Sequence, residues 1–306
     1  PCGQATNPLP MACIAPPSGT LPRMSDSSGA TARAAVADTH AGLTIVLLAL
    51  LLSIQPVTTD LYLPALPALT RDLSASVAAG QLTLSALLLA FGCSQLVWGP
   101  LSDRFGRKPI LVAGMGLFVA ASIGAVFAPS MEQLIVWRTL QGAAMGAAVM
   151  CARAVVRDLY APTEGARMMS KGLSGLGVIA CASAPLGGLL SDLMGWRLSL
   201  MAVAVFGAIT LGVIAWRFEE TLAAKNPRAL QPGMLLGTWV QIARHPTFWA
   251  FALLAATSYC GLFTFLAASP FVLIQVLGMS KTAYGLTMMT MSLSYIVGPF
   301  ICRRLL

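Results

Sequence analysis

Apolar residues run along this chain in eight long blocks, at about 43–68, 81–101, 109–128, 132–155, 169–191, 196–216, 247–275 and 283–302, with polar and charged residues gathered between them. Each block is close to the roughly 20 residues that a helix needs to cross a ~30 Å hydrocarbon core. The pattern predicts an all-α membrane protein. The longest polar connection runs from Phe218 to Pro246 and divides six helices from two. The predicted organisation is a tail over 1–42, a six-helix half over 43–217, a central loop over 218–246 and two further helices over 247–306.

Composition agrees, because 57% hydrophobic and 10% charged residues leave too little polar surface to cover a soluble fold. The net charge of +8 does not point to nucleic acid, since the basic residues form no stripe with interleaved aromatics and sit in the loops. There they contact anionic lipid headgroups and set topology. An N-terminus in the cytoplasm puts fifteen of the nineteen Lys and Arg inside and three (Arg71, Arg197, Lys281) outside, with Arg138 inside a helix. The seven cysteines show neither CxxC nor metal-ligand spacing, and His40 and His245 both fall in loops, so no metal site is expected. No P-loop or nucleophile elbow is present, so no catalytic residue is assigned. The Pro/Ser/Ala/Thr-rich residues before the first block read as a disordered cytoplasmic tail, with Met24 as a plausible true start.

Two ionisable residues stand where apolar blocks should hold none. Asp60 lies in the first block and Arg138 in the fourth, each costing about 2.5–3.5 kcal/mol at a helix centre, so both should face the bundle interior or a watery cavity. If the helices are continuous, Asp60 lies ~13 Å and Arg138 ~10 Å from the outer surface, depths that allow them to pair. A static pair is one reading; the other makes Asp60 a proton carrier balanced between burial and a nearby cation. Gln141 follows Arg138 one turn on. Pro56, Pro64 and Pro67, with Gln55, Thr58, Thr59 and Tyr62, mark the first span as cavity-lining.

Between the second and third spans the chain reads G-P-L-S-D-R-F-G-R-K-P-I-L, from Gly99 to Leu111. Gly106 permits a tight turn, and Arg104, Arg107 and Lys108 lie near the carbonyl end of the second span, where cations are favoured. Asp103 can pair with those cations or with Arg157, and Asp158 completes a small network. This segment resembles the loop signature of the major facilitator superfamily, G-x-L-x-D-R-x-G-R-K. Leu134–Ala147, built on Arg138, Gln141 and Gly142, is similar to that family's R-x-x-Q-G motif. Gly175–Gly188 resembles its antiporter motif, although Pro185 stands two rather than three residues before Gly187, the first of the closing pair Gly187 and Gly188. Asp60–Pro67, Arg157–Tyr160, Arg167–Ser170 and Gly261–Val272 resemble the bicyclomycin and chloramphenicol resistance (Bcr/CflA) branch of drug:proton antiporters.

The resemblance implies a twelve-helix fold of two six-helix halves with a substrate site between them. It makes these residues a complete first half plus the first two helices of the second, a partial sequence. The implied activity is efflux of small amphipathic drug-like molecules in exchange for protons across the bacterial inner membrane. It uses no cofactor beyond the proton gradient and no nucleic-acid partner, and the protein would be a monomer. Asp60, Arg138, Tyr62 and Gln141 would serve coupling and the cavity, and the Gly99–Lys108 loop with Arg157 and Asp158 would gate the cytoplasmic side. The alternatives are an uptake permease driven by proton symport, a non-functional truncated remnant, and, from another class, a membrane receptor or embedded enzyme.

Overall fold

The computed structural model describes residues 27–305. The expectations for residues 1–26, including Met24, lie outside the described residues. The described residues up to His40 belong to a separate unit from those that follow. Helix α1 spans Ser27–Asp60, so the part of the expected irregular tail that lies over 27–42 is helical. Alanine recurs through Ala30–Ala41, and its helix propensity outweighs the polar residues that suggested a tail.

The first span is not one continuous helix. Pro64 has no N–H to offer the Asp60 carbonyl, and Pro67 has none for Leu63. Helix α1 accordingly stops at Asp60, and a 3-10 turn over Leu63–Ala65 leads into α2, Leu66–Asp72. In this break the Tyr62 amide donates to the Thr59 carbonyl at 3.1 Å and the Ala65 amide to that of Tyr62 at 3.0 Å. This tighter winding changes the direction of every side chain after Asp60.

The chain continues through α3 (Val77–Phe105), α4 (Arg107–Val126), α5 (Met131–Leu159), α6 (Pro162–Met194) and α7 (Trp196–Arg217). It then forms α8 (Pro232–Ala243), α9 (Pro246–Pro270) with a π-helical extension Phe271–Val276, and α10 (Lys281–Leu305). Single glycines join two pairs of helices. Gly106 (φ +111°) separates α3 from α4, and Gly195 (φ +85°) separates α6 from α7, conformations that a side chain would strain. Ser76 and Ser130 cap α3 and α5 by accepting from the Ala79 and Gln133 amides.

Seven stretches among the described residues are long and apolar enough to cross a membrane: Gly42–Asp72, α3, α4, α5, α6, α7 and Pro246–Val276. Helix α10 occupies the eighth block. Helix α5 is the most buried; it packs on α3 and α4, α4 packs on α7, and α6 on α10. Small residues permit these approaches: Gly142 lies against the Leu87 backbone and Gly114 against Ala147. Leu89, Val178 and Trp216 point away from the bundle, as lipid-facing residues do.

Successive spans alternate in direction, which gives the bundle an end carrying Gly106 and an opposite end carrying Asp72. The central loop, expected to be a polar connection, holds α8 at the Gly106 end. Its apolar residues are too few for a span but recur at helical spacing, a pattern that the charges on either side of it obscure.

Candidate functional site

Arg138 is fully buried, with 0% exposure, in the middle of the six-helix half. Its guanidinium donates to the Thr58 carbonyl of α1 from Nη1 at 3.4 Å and Nη2 at 3.3 Å, and from Nη1 to Gln141 Oε1 at 2.6 Å. Gln141 Nε2 donates in turn to Ser122 Oγ of α4 at 2.6 Å, and Ser122 donates to the Phe118 carbonyl. The Tyr62 ring lies 4.2 Å from the guanidinium carbon, a cation–π contact that a desolvated site strengthens. Tyr62 is fixed there by a 2.7 Å hydrogen bond between its hydroxyl and that of Thr83 on α3. One cation therefore joins α1, α4 and α5, and Tyr62 ties the node to α3. Arg138 Nε, also buried, is without a hydrogen-bond partner.

Among the described residues no carboxylate lies within ion-pair distance of Arg138, and the expected pair with Asp60 is not formed. Asp60 is half-buried, and its carboxylate accepts from the neighbouring Thr59 hydroxyl at 3.0 Å. It lies within electrostatic reach of Cys181 on α6 and Tyr284 on α10. The reason is angular: at about 100° per helical residue, Thr58 and Asp60 leave α1 on nearly opposite sides. Depth alone cannot show that difference. The Tyr284 hydroxyl is hydrogen-bonded to Ser269 of α9 at 2.8 Å. Asp60 thus lies beside the place where α6 meets α10, while Arg138 faces the interior of the first half.

At the Gly106 end the loop residues close on Arg107, which is 1% exposed. Its Nη1 meets Asp103 Oδ1 at 2.7 Å, its Nε meets Asp158 Oδ2 at 2.8 Å, and Nη1 also donates to Ser102 Oγ at 2.6 Å. Asp103 and Asp158 thus share one arginine. Arg157 is exposed at the end of α5 and no ion pair with Asp103 forms. Arg104 stands over the Phe105 ring at 5.4 Å, and Gly99 is buried beside Met150. Sequence reasoning missed Glu220, whose carboxylate accepts from the Arg107 amide at 2.8 Å and the Lys108 amide at 3.1 Å. It caps the otherwise open N-terminus of α4 from 113 residues away in sequence. Its position immediately after the sixth apolar block was the available signal.

The motif in α6 forms a helix seam. Gly187 lies against the backbone of Leu61, just past Asp60, and Gly188 against that of Lys281 and Thr282 in α10. Gly285 of α10 lies in turn against Ala184 and Pro185. At the Asp72 end the seam is fastened by Asp192, which accepts from the Thr282 amide at 3.0 Å and hydroxyl at 2.7 Å, and by Lys281, which donates to the Ser191 carbonyl at 2.8 Å.

The family model of the Major Facilitator Superfamily matches residues 47–306. The chain belongs to the major facilitator superfamily. Within that superfamily it is 32% identical over 238 residues to a chloramphenicol resistance protein of Pseudomonas aeruginosa, a match covering 78% of this chain and 56% of the relative. It is 31% identical over 254 residues to multidrug resistance protein D of Escherichia coli (strain K12), covering 83% of this chain and 61% of the relative. These relatives agree with the branch that Asp60–Pro67 and Gly261–Val272 resemble. Among solved structures it is similar to a bacterial homologue of the human lysosomal transporter Spinster, in an inward-facing and unoccupied conformation. The TM-score is 0.70 at 17% identity, over 85% of this chain and 61% of that one, a likeness of fold. The fold is the superfamily's six-helix half followed by two helices of the next, and the chain spans 56–65% of the length of the first curated relatives it matches.

Proposed function

We propose that this protein exports small amphipathic drug-like molecules across the bacterial inner membrane in exchange for protons, by alternating access between two helical halves. The observation that carries the reading is the separation of the two intramembrane charges. Arg138 is held by neutral partners, and among the described residues the half-buried Asp60 carboxylate has no fixed counter-ion, on a face beside α6 and α10. A carboxylate so placed can be neutralised by a proton or by a cationic substrate, and the two would compete for it. The names of the resistance-protein relatives support the direction of transport.

Orientation follows from charge. The Gly106 end carries Arg104, Arg107, Lys108, Arg153, Arg157, Arg167, Lys171, Arg217, Lys225, Arg228 and Arg244, against Arg71, Arg197 and Lys281 at the other. This asymmetry supports a cytoplasmic Gly106 end and N-terminus. A proton moving inward then gains about 2.3 kcal/mol per 100 mV of membrane potential. The Arg107 network and Glu220 would act as a cytoplasmic latch, biasing conformation without taking part in chemistry.

The test is made on full-length protein in proteoliposomes, with chloramphenicol as the first substrate and a pH-sensitive dye as the readout. Substrate-linked proton movement is expected, and its loss in Asp60→Asn with retained substrate binding. Coupled proton movement undiminished in Asp60→Asn would remove Asp60 from the mechanism, and substrate moving with the proton would favour the uptake permease.

A further inference from the structure

Helix α8 carries no ionisable side chain between Pro232 and Ala243, and its twelve residues extend ~18 Å, well short of a ~30 Å bilayer core. At about 100° per residue, Leu235, Leu236, Trp239, Val240 and Ile242 fall on one side, and Gly233, Gly237 and Gln241 on the other. That apolar side is not packed on the protein: Leu236 is 58%, Val240 47%, Ile242 45% and Trp239 38% exposed. An uncovered stripe of this kind on a water-facing loop would be a liability for aggregation.

Its position identifies what covers it. Only Arg244 and His245 separate α8 from α9, where the membrane-length stretch Pro246–Val276 begins. Trp249 Nε1 in the first turn of α9 donates to the Ala243 carbonyl at 2.7 Å, tying the end of α8 to the start of the span. Helix α8 thus leaves the bundle at the level of the bilayer surface. Lys225 and Arg228 precede it and Arg244 follows it, while Glu220, the nearest acid in sequence, is committed to the α4 amides, and Asp103, whose carbonyl accepts from Asn226, is paired with Arg107. Cations flanking an uncharged apolar stripe with a tryptophan are complementary to an anionic lipid surface.

We propose that α8 is an in-plane membrane anchor. Its Leu236–Trp239–Val240 face inserts at the headgroup–acyl boundary of the leaflet at the Gly106 end, and Lys225, Arg228 and Arg244 bind anionic headgroups. The linker between the two halves is thereby held to the bilayer, and the first turn of α9 is kept at a fixed depth. The inference requires only that the Gly106 end lie at a membrane surface, and stands or falls separately from proton coupling.

The experiment uses the full-length protein with its native cysteines replaced and a nitroxide at Leu236→Cys, Val240→Cys, Gly237→Cys or Gln241→Cys. The variants are placed in nanodiscs of phosphatidylcholine, with or without phosphatidylglycerol. Collision with oxygen relative to a nickel chelate is expected to be severalfold higher at 236 and 240 than at 237 and 241. The contrast should increase with phosphatidylglycerol, and that increase should disappear when Lys225, Arg228 and Arg244 are all replaced by Gln. Equal nickel access at all four positions would overturn the anchor. So would protection of 236 and 240 from both reagents, which would mean that protein covers the stripe. A contrast indifferent to phosphatidylglycerol in the parent would overturn the headgroup contacts.

Discussion

Arg138 binds the backbone carbonyl of Thr58 through both terminal nitrogens and leaves the carboxylate of Asp60, two residues on, to another face of the molecule. The distinction matters because the two arrangements respond oppositely to mutation. Breaking a buried ion pair leaves an uncompensated charge and costs about 3–5 kcal/mol. With Arg138 held by neutral acceptors and a ring, Asp60→Asn removes no such pair. It is expected to change the unfolding free energy by less than about 1 kcal/mol in detergent. A loss within the ion-pair range would mean that the carboxylate does neutralise Arg138.

The Gln141 amide is the structural counterpart of that pair. It accepts from Arg138 and donates to Ser122, so removing it leaves Arg138 Nη1 with only its longer contact to the Thr58 carbonyl in a dry interior. Gln141→Ala is expected to cost about 1–3 kcal/mol, measured as a lowered midpoint in thermal unfolding of the detergent-solubilised protein. Ser122→Ala should cost less, since both hydrogen bonds it loses are neutral and Arg138 keeps its acceptors.

The apolar blocks disclosed nearly all of this architecture, because lipid obliges each of them to close its own backbone hydrogen bonds as a helix. The turn at Gly106 and the one-turn spacing of Arg138 and Gln141 were legible for the same reason: both depend on neighbours in sequence. The partnering of Asp60 was not, since depth counted along a continuous helix ignores the break that Pro64 causes and the angle at which each side chain leaves. Glu220 was hidden by distance, as nothing local shows that an acid at the end of α7 reaches the amides of α4. Helix α8 escaped notice because the flanking charges of the loop outweighed a short stripe visible only as a periodicity.

The Arg107 network orders two acidic residues that the sequence leaves equivalent. Asp103 is 41% exposed and can be replaced in part by water, whereas Asp158 is 13% exposed and aligns with the guanidinium Nε. Asp158→Ala is expected to destabilise by up to about 3 kcal/mol, the lower end of the range for a buried pair. Asp103→Ala should cost about 1 kcal/mol or less, as exposed pairs do. Paired unfolding curves decide it, and the reverse order would mean that Asp103 is the principal partner.

Glu220 and Gly106 should show opposite sensitivities at one cap. Glu220→Gln keeps an acceptor for only one of the Arg107 and Lys108 amides, turns an NH2 group toward the other and loses the charge favoured at a helix N-terminus, so a cost of about 1 kcal/mol is expected. Gly106→Ala adds a methyl group in contact with the Glu220 carboxylate, at a φ of +111° that alanine tolerates poorly. Its cost should exceed that of Glu220→Gln, and Gly106→Ala combined with Glu220→Ala should cost less than the sum of those two single variants, because the strain at φ remains while the carboxylate contact is relieved. Strict additivity would show that the two do not interact.

On the proposed alternating-access reading, the seam between α6 and α10 is the contact that would open. Asp192 accepts from both the Thr282 amide and hydroxyl, an acid placed on the N-terminus of α10 by a helix from the other half. Asp192→Ala removes both contacts and Thr282→Val the hydroxyl one, so the two variants share that bond. Their effects on unfolding should therefore be non-additive by at least about 0.5 kcal/mol. The conformational consequence can be read separately at Ser191, which is 1% exposed and lies under the Lys281 ammonium. A cysteine introduced by Ser191→Cys should react slowly with a maleimide in the parent and severalfold faster beside Asp192→Ala, because weakening the closed seam raises the population in which it is parted. An unchanged labelling rate, with the unfolding coupling intact, would assign the contact to folding alone, since an interaction equally present in both conformations cannot shift the balance between them.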